Sequence, residues 1–286
     1  MNENLENKVC LITGATNGIG LESARALNKM GAEIVFIARN LDKAEKLKEE
    51  LFQDSGRTAT SIIADLSLQD EVKKAANRFL SLNKPLDILL NNAGIMNRER
   101  KETADGFEEV FSVNHLAYFT LTLMLIDAMK NAGGGRIVNV ASMAYRFVSE
   151  MNFDDLQSKA NYKGLKVYGQ SKLANILFTR SLASKVKEND ITVNCLHPGY
   201  VDTGIGLNNK GFFVRLLMNM GRPFAKKTDK GAETSIYLCA SPKLEQVTGE
   251  YFVDCEVEKL LGAAKSEEQA QKLWSISSEL TGLDLN

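Results

Sequence analysis

A tyrosine and a lysine four residues apart, Tyr168 and Lys172, are the side chains of this chain best suited to joint chemistry. Residues at this spacing lie on one face of a helix, so the phenol and the ammonium can enter one cleft. A free tyrosine has a pKa of about 10, which is too high for a base at neutral pH. A neighbouring ammonium favours the phenolate and lowers that pKa, so the pair predicts proton transfer to or from a substrate oxygen.

Two further polar residues are expected to reach the same cleft. Ser142 ends the predicted strand 136–142, and Asn114 lies on the long helix predicted over 106–131. In a parallel sheet, ligands bind beyond the carboxyl ends of the strands. The candidate catalytic residues are therefore Asn114, Ser142, Tyr168 and Lys172.

A glycine-rich turn separates the first predicted strand, 9–13, from a helix that begins near Ile19. Gly14 can take the tight turn, Gly18 lets a ligand approach the backbone, and Gly20 lets the helix start close to the sheet. A helix N-terminus presents unpaired N–H groups and a partial positive charge. The turn therefore predicts a pyrophosphate site, although glycines at such a turn can also serve the backbone alone.

Strand-like and helix-like segments alternate along all 286 residues, and no Pro/Gly/Ser-rich linker divides them. Such alternation is typical of parallel crossovers. The chain is therefore predicted to be α/β, a single domain over 1–286 with a Rossmann-type, doubly wound parallel sheet of about seven strands. The predicted strands are 9–13, 33–39, 60–64, 86–90, 136–142, 192–196 and 249–253.

The candidate catalytic residues and three motifs together resemble the short-chain dehydrogenase/reductase family. The motifs are Thr13–Gly20, Asn91–Gly94 and Pro198–Thr203. The resemblance implies that Tyr168 is the acid/base, that Ser142 hydrogen-bonds the substrate oxygen, and that Asn114 holds a water linking Lys172 to solvent. It also implies a cofactor site with Thr203 near the nicotinamide carboxamide. The cofactor-binding residues it implies are Gly14, Thr16, Asn17, Gly18, Ile19, Gly20, Arg39, Asn40, Asp65, Leu66, Asn92, Ala93, Gly94, Tyr168, Lys172, Pro198, Gly199, Val201 and Thr203.

The residue that ends the second predicted strand bears on the choice of cofactor. NAD-binding folds usually place an acid there, whereas this strand ends in Arg39 followed by Asn40. A guanidinium can pair with a 2′-phosphate through two hydrogen bonds, so Arg39 favours NADP(H). The alternative is a surface arginine beside a helix cap. Asp65, at the end of the third strand, is placed to contact the adenine or to cap the next helix.

Further segments resemble the retinol dehydrogenase branch of the family. They are Thr103–Glu108, Val113–Leu116, Tyr168–Ser181, Asn152–Leu156, Leu273–Trp274 and Leu280–Leu283. That branch typically acts on hydrophobic alcohols and aldehydes with NADP(H). Many members carry an N-terminal membrane anchor, which the polar residues 1–8 do not supply, so the resemblance to the branch predicts the activity class more firmly than a retinoid substrate.

The segment 203–227 is expected to cover the substrate. Its apolar residues lie mostly between Gly211 and Gly221, with arginines and lysines nearby. A mobile lid is the leading interpretation, and a helix packed in the core or a contact with a membrane surface remain the alternatives. The amphipathic stretch 266–280 carries Leu273 and Trp274, which are expected to serve packing or an interface.

Composition limits the remaining classes of function. Lys and Arg number 35 and Asp and Glu 36, so no net charge recruits nucleic acid. No signal peptide or transmembrane run is found at the start of the chain, which predicts a cytoplasmic protein. Cys10, Cys195, Cys239 and Cys255 are far apart and predict reduced core residues, and no metal site is expected. The family resemblance extends to a homodimer, although nothing in the sequence fixes the oligomeric state.

The leading function is therefore an NADP(H)-dependent enzyme that interconverts a hydrophobic carbonyl compound and its alcohol. One alternative is a reductase of a conjugated C=C bond, because the related protochlorophyllide reductases share the Tyr/Lys pair. A second is a non-catalytic NADP-binding sensor, which would be free to lose the catalytic residues that this chain retains.

Overall fold

The computed structural model of the chain describes residues 3–199 and 228–285. Its strands form one eight-stranded sheet in the order β3-β2-β1-β4-β5-β6-β7-β8. All pairs are parallel except β7 with β8. The strands are β1 (Val9–Thr13), β2 (Glu33–Ala38), β3 (Thr60–Ile63), β4 (Ile88–Asn91), β5 (Gly135–Val140), β6 (Ile191–His197), β7 (Tyr251–Val253) and β8 (Glu256–Val257).

Helices cover both faces of this sheet. They are α1 (Gly18–Lys29), α2 (Leu41–Ser55), α3 (Gln69–Ser81), α4 (Glu109–Phe111), α5 (Ala117–Asn131), α6 (Gly164–Lys185), α7 (Thr228–Ala240) and α8 (Glu267–Thr281). Successive β1 residues alternate between the two cores, as a strand with both faces buried requires. Leu11 packs on the α3, α5 and α6 side, while Cys10 and Ile12 pack on the α1, α2 and α7 side.

The predicted doubly wound parallel sheet is therefore confirmed, and each of the seven predicted strands is present with ends shifted by at most a few residues. The eighth strand is the short antiparallel β8. It follows a turn at Asp254 and Cys255, which both have positive φ. Two exposed residues carry no periodic signal, which explains why the sequence pattern did not predict β8.

The long helix predicted over 106–131 is interrupted. It begins with α4, passes through the π-helical turn Ser112–Leu116, and continues as α5. Glu108 starts it, because its carboxylate accepts the backbone N–H groups of Val110 and Phe111 at 3.0 and 2.7 Å. The π turn contains Asn114, so the interruption occurs at a candidate site residue.

Two apolar segments are buried in the protein. Within Glu109–Asn131 one window has the length and composition to cross a membrane, but 89% of that window is buried, as in a core helix. In α8, Leu273 and Trp274 are 1% and 6% exposed, which confirms their predicted packing role. Trp274 packs on the Phe119 and Phe178 rings, so α8 closes the core beside α5 and α6.

Candidate active site

The structure brings the four candidate catalytic residues together at the carboxyl edge of the sheet. Ser142 follows β5, Tyr168 and Lys172 lie on α6, and Asn114 lies on the π turn. The Tyr168 and Ser142 side chains lie close enough for Ser142 to influence the pKa of the phenol. The Nζ atom of Lys172 lies 5.5 Å from the centre of the Tyr168 ring. Gly94 borders the same space, since a Cβ there would lie 3.5 Å from both Asn114 Oδ1 and Lys172 Nζ.

Ser142 is oriented by the backbone that follows it. Its hydroxyl oxygen accepts the N–H of Ala144 at 3.2 Å, which starts the 3₁₀ turn Met143–Phe147. A hydroxyl has one donor and two acceptor sites, so this contact leaves the serine proton available to a further oxygen.

Asn114 is held rigidly by the chain on either side of it. Its Oδ1 accepts from Ile95 N at 2.8 Å, and its Nδ2 donates to Ile95 O at 2.9 Å and to Ser171 Oγ at 3.0 Å. Both N–H groups of the amide are thus used. A water held by this residue would therefore donate to the second lone pair of Asn114 Oδ1 or to the main-chain carbonyl of Asn114. Ile95 and Ser171 were not among the predicted site residues.

Lys172 is 2% exposed and donates to the carbonyl oxygen of Val140 at 2.9 Å. Burial lowers the pKa of its ammonium to about 7, because the charged form loses its hydration. Its Nζ also lies 5.9 Å from the centre of the Tyr118 ring. The lysine is therefore balanced between its neutral and charged forms at physiological pH.

Burial raises the pKa of Tyr168 to about 12, and the nearby Ser142 hydroxyl acts in the opposite direction. A lowered pKa is expected from the ammonium together with a positive nicotinamide ring, and in the protein without that ring the pKa is raised instead. The physical reason is that desolvation of the phenolate outweighs the favourable interaction with the Ser142 hydroxyl. The tyrosine is consequently a protonated phenol, ready to donate, until a further positive charge enters the cleft.

The glycine-rich turn has the geometry that a pyrophosphate site requires. Gly14 and Gly18 have positive φ values of 69° and 56°. A Cβ at Gly20 would overlap the Gly14 carbonyl oxygen and the Asn92 amide, so α1 starts in close contact with the sheet. Asn17 caps α1. The first backbone N–H groups of α1 point out of the helix, near the end of β1. Thr16 is half-buried in the turn, whereas Ile19 turns its side chain into a small apolar cluster with α7 and can contribute only backbone.

The loop Asn92–Gly94 is tied to that turn by a residue that the predicted set omitted. Thr13 Oγ1 accepts from Asn92 N at 2.9 Å and Ala93 N at 3.0 Å, and Asn92 Nδ2 donates to the Thr13 carbonyl at 2.9 Å. Tyr118 adds a fourth bond, from its hydroxyl to the Ala93 carbonyl at 2.8 Å. Thr13 carried a sequence signal as the first residue of the motif, while Tyr118 carried none.

The residues predicted to bind the nucleotide end lie at the carboxyl ends of β2 and β3. Asn40 caps α2 by accepting from Lys43 N at 2.9 Å, and the Arg39 side chain is 74% exposed. Asp65 lies 3.9 Å from the Arg39 guanidinium and accepts from Ser67 N at 2.9 Å. Asp65 does not cap α3 itself. Leu66 packs against the core, so only its backbone can face a ligand.

The start of α3 is capped from elsewhere in the chain. Its first N–H, on Gln69, donates to Asp105 Oδ2 at 2.6 Å. Asp65 is therefore not needed as the cap of α3, and its Oδ2, which lies 3.9 Å from Arg39, is the atom placed for the predicted nucleotide contact.

The remaining predicted residues follow β6. Pro198 and Gly199 lie at its carboxyl end, and Gly199 has a φ of 82°. Val201, Thr203 and the covering segment 203–227 lie outside the described residues. In the described part of the chain, no three His, Cys, Asp or Glu side chains form a group that could hold a metal ion.

These features fit a dinucleotide. The turn at Gly14–Gly20 lies on β1, next to β4, where the order of the strands reverses, and this is where dinucleotides bind in doubly wound sheets. An exposed guanidinium stands at one end of the site and the Tyr/Lys cleft at the other. The sheet, turn and cleft define an oxidoreductase of the Rossmann type.

A family model described as short chain dehydrogenase matches residues 8–210. The chain therefore belongs to the short-chain dehydrogenase family, whose members use a nicotinamide cofactor. Retinol dehydrogenase 12 of Mus musculus is 38% identical over 284 residues, which cover 99% of this chain and 89% of that protein. Short-chain dehydrogenase TIC 32 B, chloroplastic, of Brassica napus is 38% identical over 280 residues, which cover 94% and 87%.

Solved structures share this fold over most of the chain. An uncharacterised protein from Mycobacterium paratuberculosis superposes with a TM-score of 0.79 at 26% identity, covering 99% of this chain and 97% of that one. A protein of Beutenbergia cavernae, provisionally assigned as an NAD(P)-dependent gluconate 5-dehydrogenase, contains NADP at low occupancy. It has a TM-score of 0.72 at 26% identity and covers 89% and 97%.

Proposed function

We propose that this protein is an NADP(H)-dependent oxidoreductase that interconverts a hydrophobic aldehyde or ketone and its alcohol. The observation that carries the proposal is the meeting of the Tyr168 and Ser142 side chains in one cleft, with Lys172 Nζ 5.5 Å from the centre of the tyrosine ring. Two hydroxyl groups that meet at one point can both bind a single substrate oxygen. A carbonyl or alcohol oxygen is the group that such a pair recognises.

Each of the four residues has a distinct part in this reaction. The cofactor, when bound, supplies or takes the hydride. Ser142 donates to the substrate oxygen and holds it beside Tyr168. Tyr168 gives its proton to that oxygen in reduction and recovers a proton as a base in oxidation. Lys172 in its charged form favours the phenolate of Tyr168. Asn114 holds Ile95 and Ser171 in place beside the cleft through its side-chain hydrogen bonds.

The preference for NADP(H) rests on Arg39. Its exposed guanidinium lies at the strand end where NAD-binding folds usually place an acid, which would repel a 2′-phosphate. The Asp65 carboxylate lies 3.9 Å from this guanidinium. A phosphate dianion would outcompete this long, solvent-exposed ion pair, because such a pair contributes little. The NADP bound to the related Beutenbergia cavernae protein supports the same choice.

The substrate class rests on the relatives. Retinol dehydrogenases 12 and 14 match nearly the whole chain at 38–39% identity, and their names point to hydrophobic alcohols and aldehydes. We extend that class, and not the retinoid itself, to this protein. The cytoplasmic location stays a prediction, since two of the relatives are named as chloroplastic.

The test is NADPH oxidation against a panel of hydrophobic aldehydes and ketones, including retinal, with product analysis. We expect carbonyl reduction by the wild type and a loss of about 100-fold or more in Tyr168→Phe, because general acid catalysis contributes that much. NADPH binding should persist in the variant. The control is Tyr237→Phe, a tyrosine of α7 that packs on Phe252 and should leave turnover unchanged.

Two results would contradict the proposal. A saturated C=C bond in the product would identify a double-bond reductase with the same Tyr/Lys pair. Tight NADPH binding without turnover of any member of the panel would favour a sensor.

A further inference from the structure

His115 lies next to Asn114, is fully buried, and takes no part in the proposed chemistry. Its Nε2 lies 2.8 Å from Ser277 Oγ on α8, and the rings of Phe111, Phe119 and Phe178 surround it. Burial lowers the pKa of the imidazole to about 4. At neutral pH the ring is therefore uncharged and has one N–H donor and one acceptor nitrogen.

The second ring nitrogen faces α6. Nδ1 of His115 and Oδ1 of Asn175 are both buried, and neither has a partner of standard hydrogen-bond geometry among the described residues. The Asn175 side chain nevertheless lies beside the imidazole and raises its pKa, against the larger effect of burial. A proton on Nδ1 satisfies both atoms at once while Nε2 accepts from the Ser277 hydroxyl. We assign this tautomer because the network requires it.

An amide whose oxygen faces His115 must turn its nitrogen the other way. Asn175 Nδ2 donates to the carbonyl oxygen of Val140 at 3.2 Å. The same oxygen accepts from Lys172 Nζ at 2.9 Å. Asn175 and Lys172 are three residues apart on α6, so they share one face and meet at one acceptor. A continuous set of contacts thus runs from α8 through His115 and Asn175 to the lysine of the cleft.

We propose that Asn175, held by His115, is a positioning residue that shares the Val140 carbonyl with Lys172 and thereby sets the protonation state of that lysine. When two donors share one carbonyl oxygen, each of the two hydrogen bonds is weaker than it would be alone. In addition, the positive end of the Asn175 N–H dipole disfavours a positive charge on Lys172. The consequence for catalysis rests on the proposed function, whereas the effect on Lys172 does not.

Other groups around the lysine do not titrate in the same range. In the described part of the chain, Tyr168 from α6 and Tyr118 from α5 face Lys172. Burial raises the pKa of Tyr168 to about 12 and that of Tyr118 well above its usual value. His115, at about 4, has already lost its proton. Among these four groups, Lys172 is the one whose pKa lies near 7.

The test is a pH titration of lysine side-chain ¹⁵N resonances by NMR in the protein without cofactor. The Lys172 signal is identified by its disappearance in Lys172→Met. We expect Asn175→Leu to raise the Lys172 midpoint by about half a pH unit or more, because the carbonyl then serves the ammonium alone. We expect His115→Phe to move it in the same direction, because an unheld amide can turn its oxygen toward the lysine.

The matched control is Asn28→Leu. Asn28 is an equally buried asparagine, 1% exposed, whose Nδ2 donates to the Leu51 carbonyl at 2.9 Å on the far side of the sheet. It should lower stability as Asn175→Leu does and leave the Lys172 midpoint in place. An unchanged midpoint in both Asn175→Leu and His115→Phe would overturn the inference, and either variant suffices if the other fails to fold.

Kinetics separate this inference from the proposed function. If carbonyl reduction is found, the pH dependence of kcat/KM should shift in Asn175→Leu and in His115→Phe. Their combined effect should be smaller than the sum of the single effects, because they act through one contact. If no carbonyl is turned over but the NMR midpoint moves, the proposed function fails and the inference stands. If carbonyls are turned over but the NMR midpoint does not move, the proposed function stands and the inference fails.

Discussion

Two ionisable residues of the site have burial working against their charges. Lys172 is nearly inaccessible, and burial lowers its pKa to about 7, while burial raises that of Tyr168 to about 12. The pKa of each group is thus shifted in the direction that favours its neutral form. A charge of opposite sign that the protein itself does not provide would favour the ionised form of each group. Functional sites often carry such perturbed groups at a cost in stability.

Replacing Lys172 should therefore stabilise the protein. The unfolded lysine has a pKa near 10.5 and the folded one about 7, so the penalty is complete below pH 7 and disappears as pH rises to 10.5. We expect Lys172→Met to raise the free energy of unfolding by on the order of a few kcal/mol at pH 6 and by little at pH 10. Urea unfolding across this range measures it.

The control for that experiment is Lys46→Met, since Lys46 is 78% exposed. Its free energy of unfolding should follow the wild type at every pH. A Lys172→Met protein that is less stable than the wild type at pH 6 would show that the Val140 hydrogen bond outweighs the desolvation of the ammonium.

Arg39 should decide between the two nicotinamide cofactors. A charge-assisted contact with a phosphate is worth about 1.5–3 kcal/mol, so Arg39→Ala should weaken NADPH binding by about 10-fold or more. NADH lacks the 2′-phosphate, and its affinity should stay within about twofold. Fluorescence titration of both cofactors gives the ratio, with Arg57→Ala as a control because Arg57 pairs with Glu6 instead. Equal losses for both cofactors would contradict this assignment.

At the scale of single elements, much of the site was predictable. The strand–turn–helix at Gly14–Gly20 and the Tyr168/Lys172 pair are local patterns, and the structure reproduces both. Contacts between distant segments were not predictable, such as Asp105 on the start of α3 and Ser171 on Asn114. The π turn was not predicted because all five of its residues are buried and the sequence across them keeps a helical pattern.

The cap that precedes the π turn should be worth more than an ordinary one. Glu108 is fully buried, and its two oxygens accept two buried backbone N–H groups. Burial also raises its pKa, so the carboxylate depends on these bonds. We expect Glu108→Ala to cost about 2 kcal/mol or more in the free energy of unfolding, and the exposed cap variant Asn40→Ala about 1 kcal/mol. Thermal unfolding of both variants compares them directly, and equal losses would show that burial adds nothing to the cap.

At the scale of the whole molecule, His115 makes stability depend on acid. Its folded pKa of about 4 lies below the free value of 6.5, so the unfolded chain binds the extra proton between these limits. The stability of the neutral ring is complete above pH 6.5 and falls by about 3 kcal/mol as pH drops to 4. Urea unfolding at pH 7 and pH 4.5 should show this loss in the wild type and a smaller one in His115→Phe. The same slope in both proteins would assign the acid sensitivity to other groups.

The order of the strands has a consequence for how this chain can diversify. The segments that would hold the adenosine and pyrophosphate of the cofactor follow β1, β2 and β3 on one side of the reversal, while Ser142, Tyr168 and Lys172 follow β5 on the other. Mutations that change what one group of loops binds therefore leave the structure of the other group largely unchanged. A lineage built on this sheet can exchange one substrate for another while it keeps its cofactor, and it can change its cofactor without losing its chemistry.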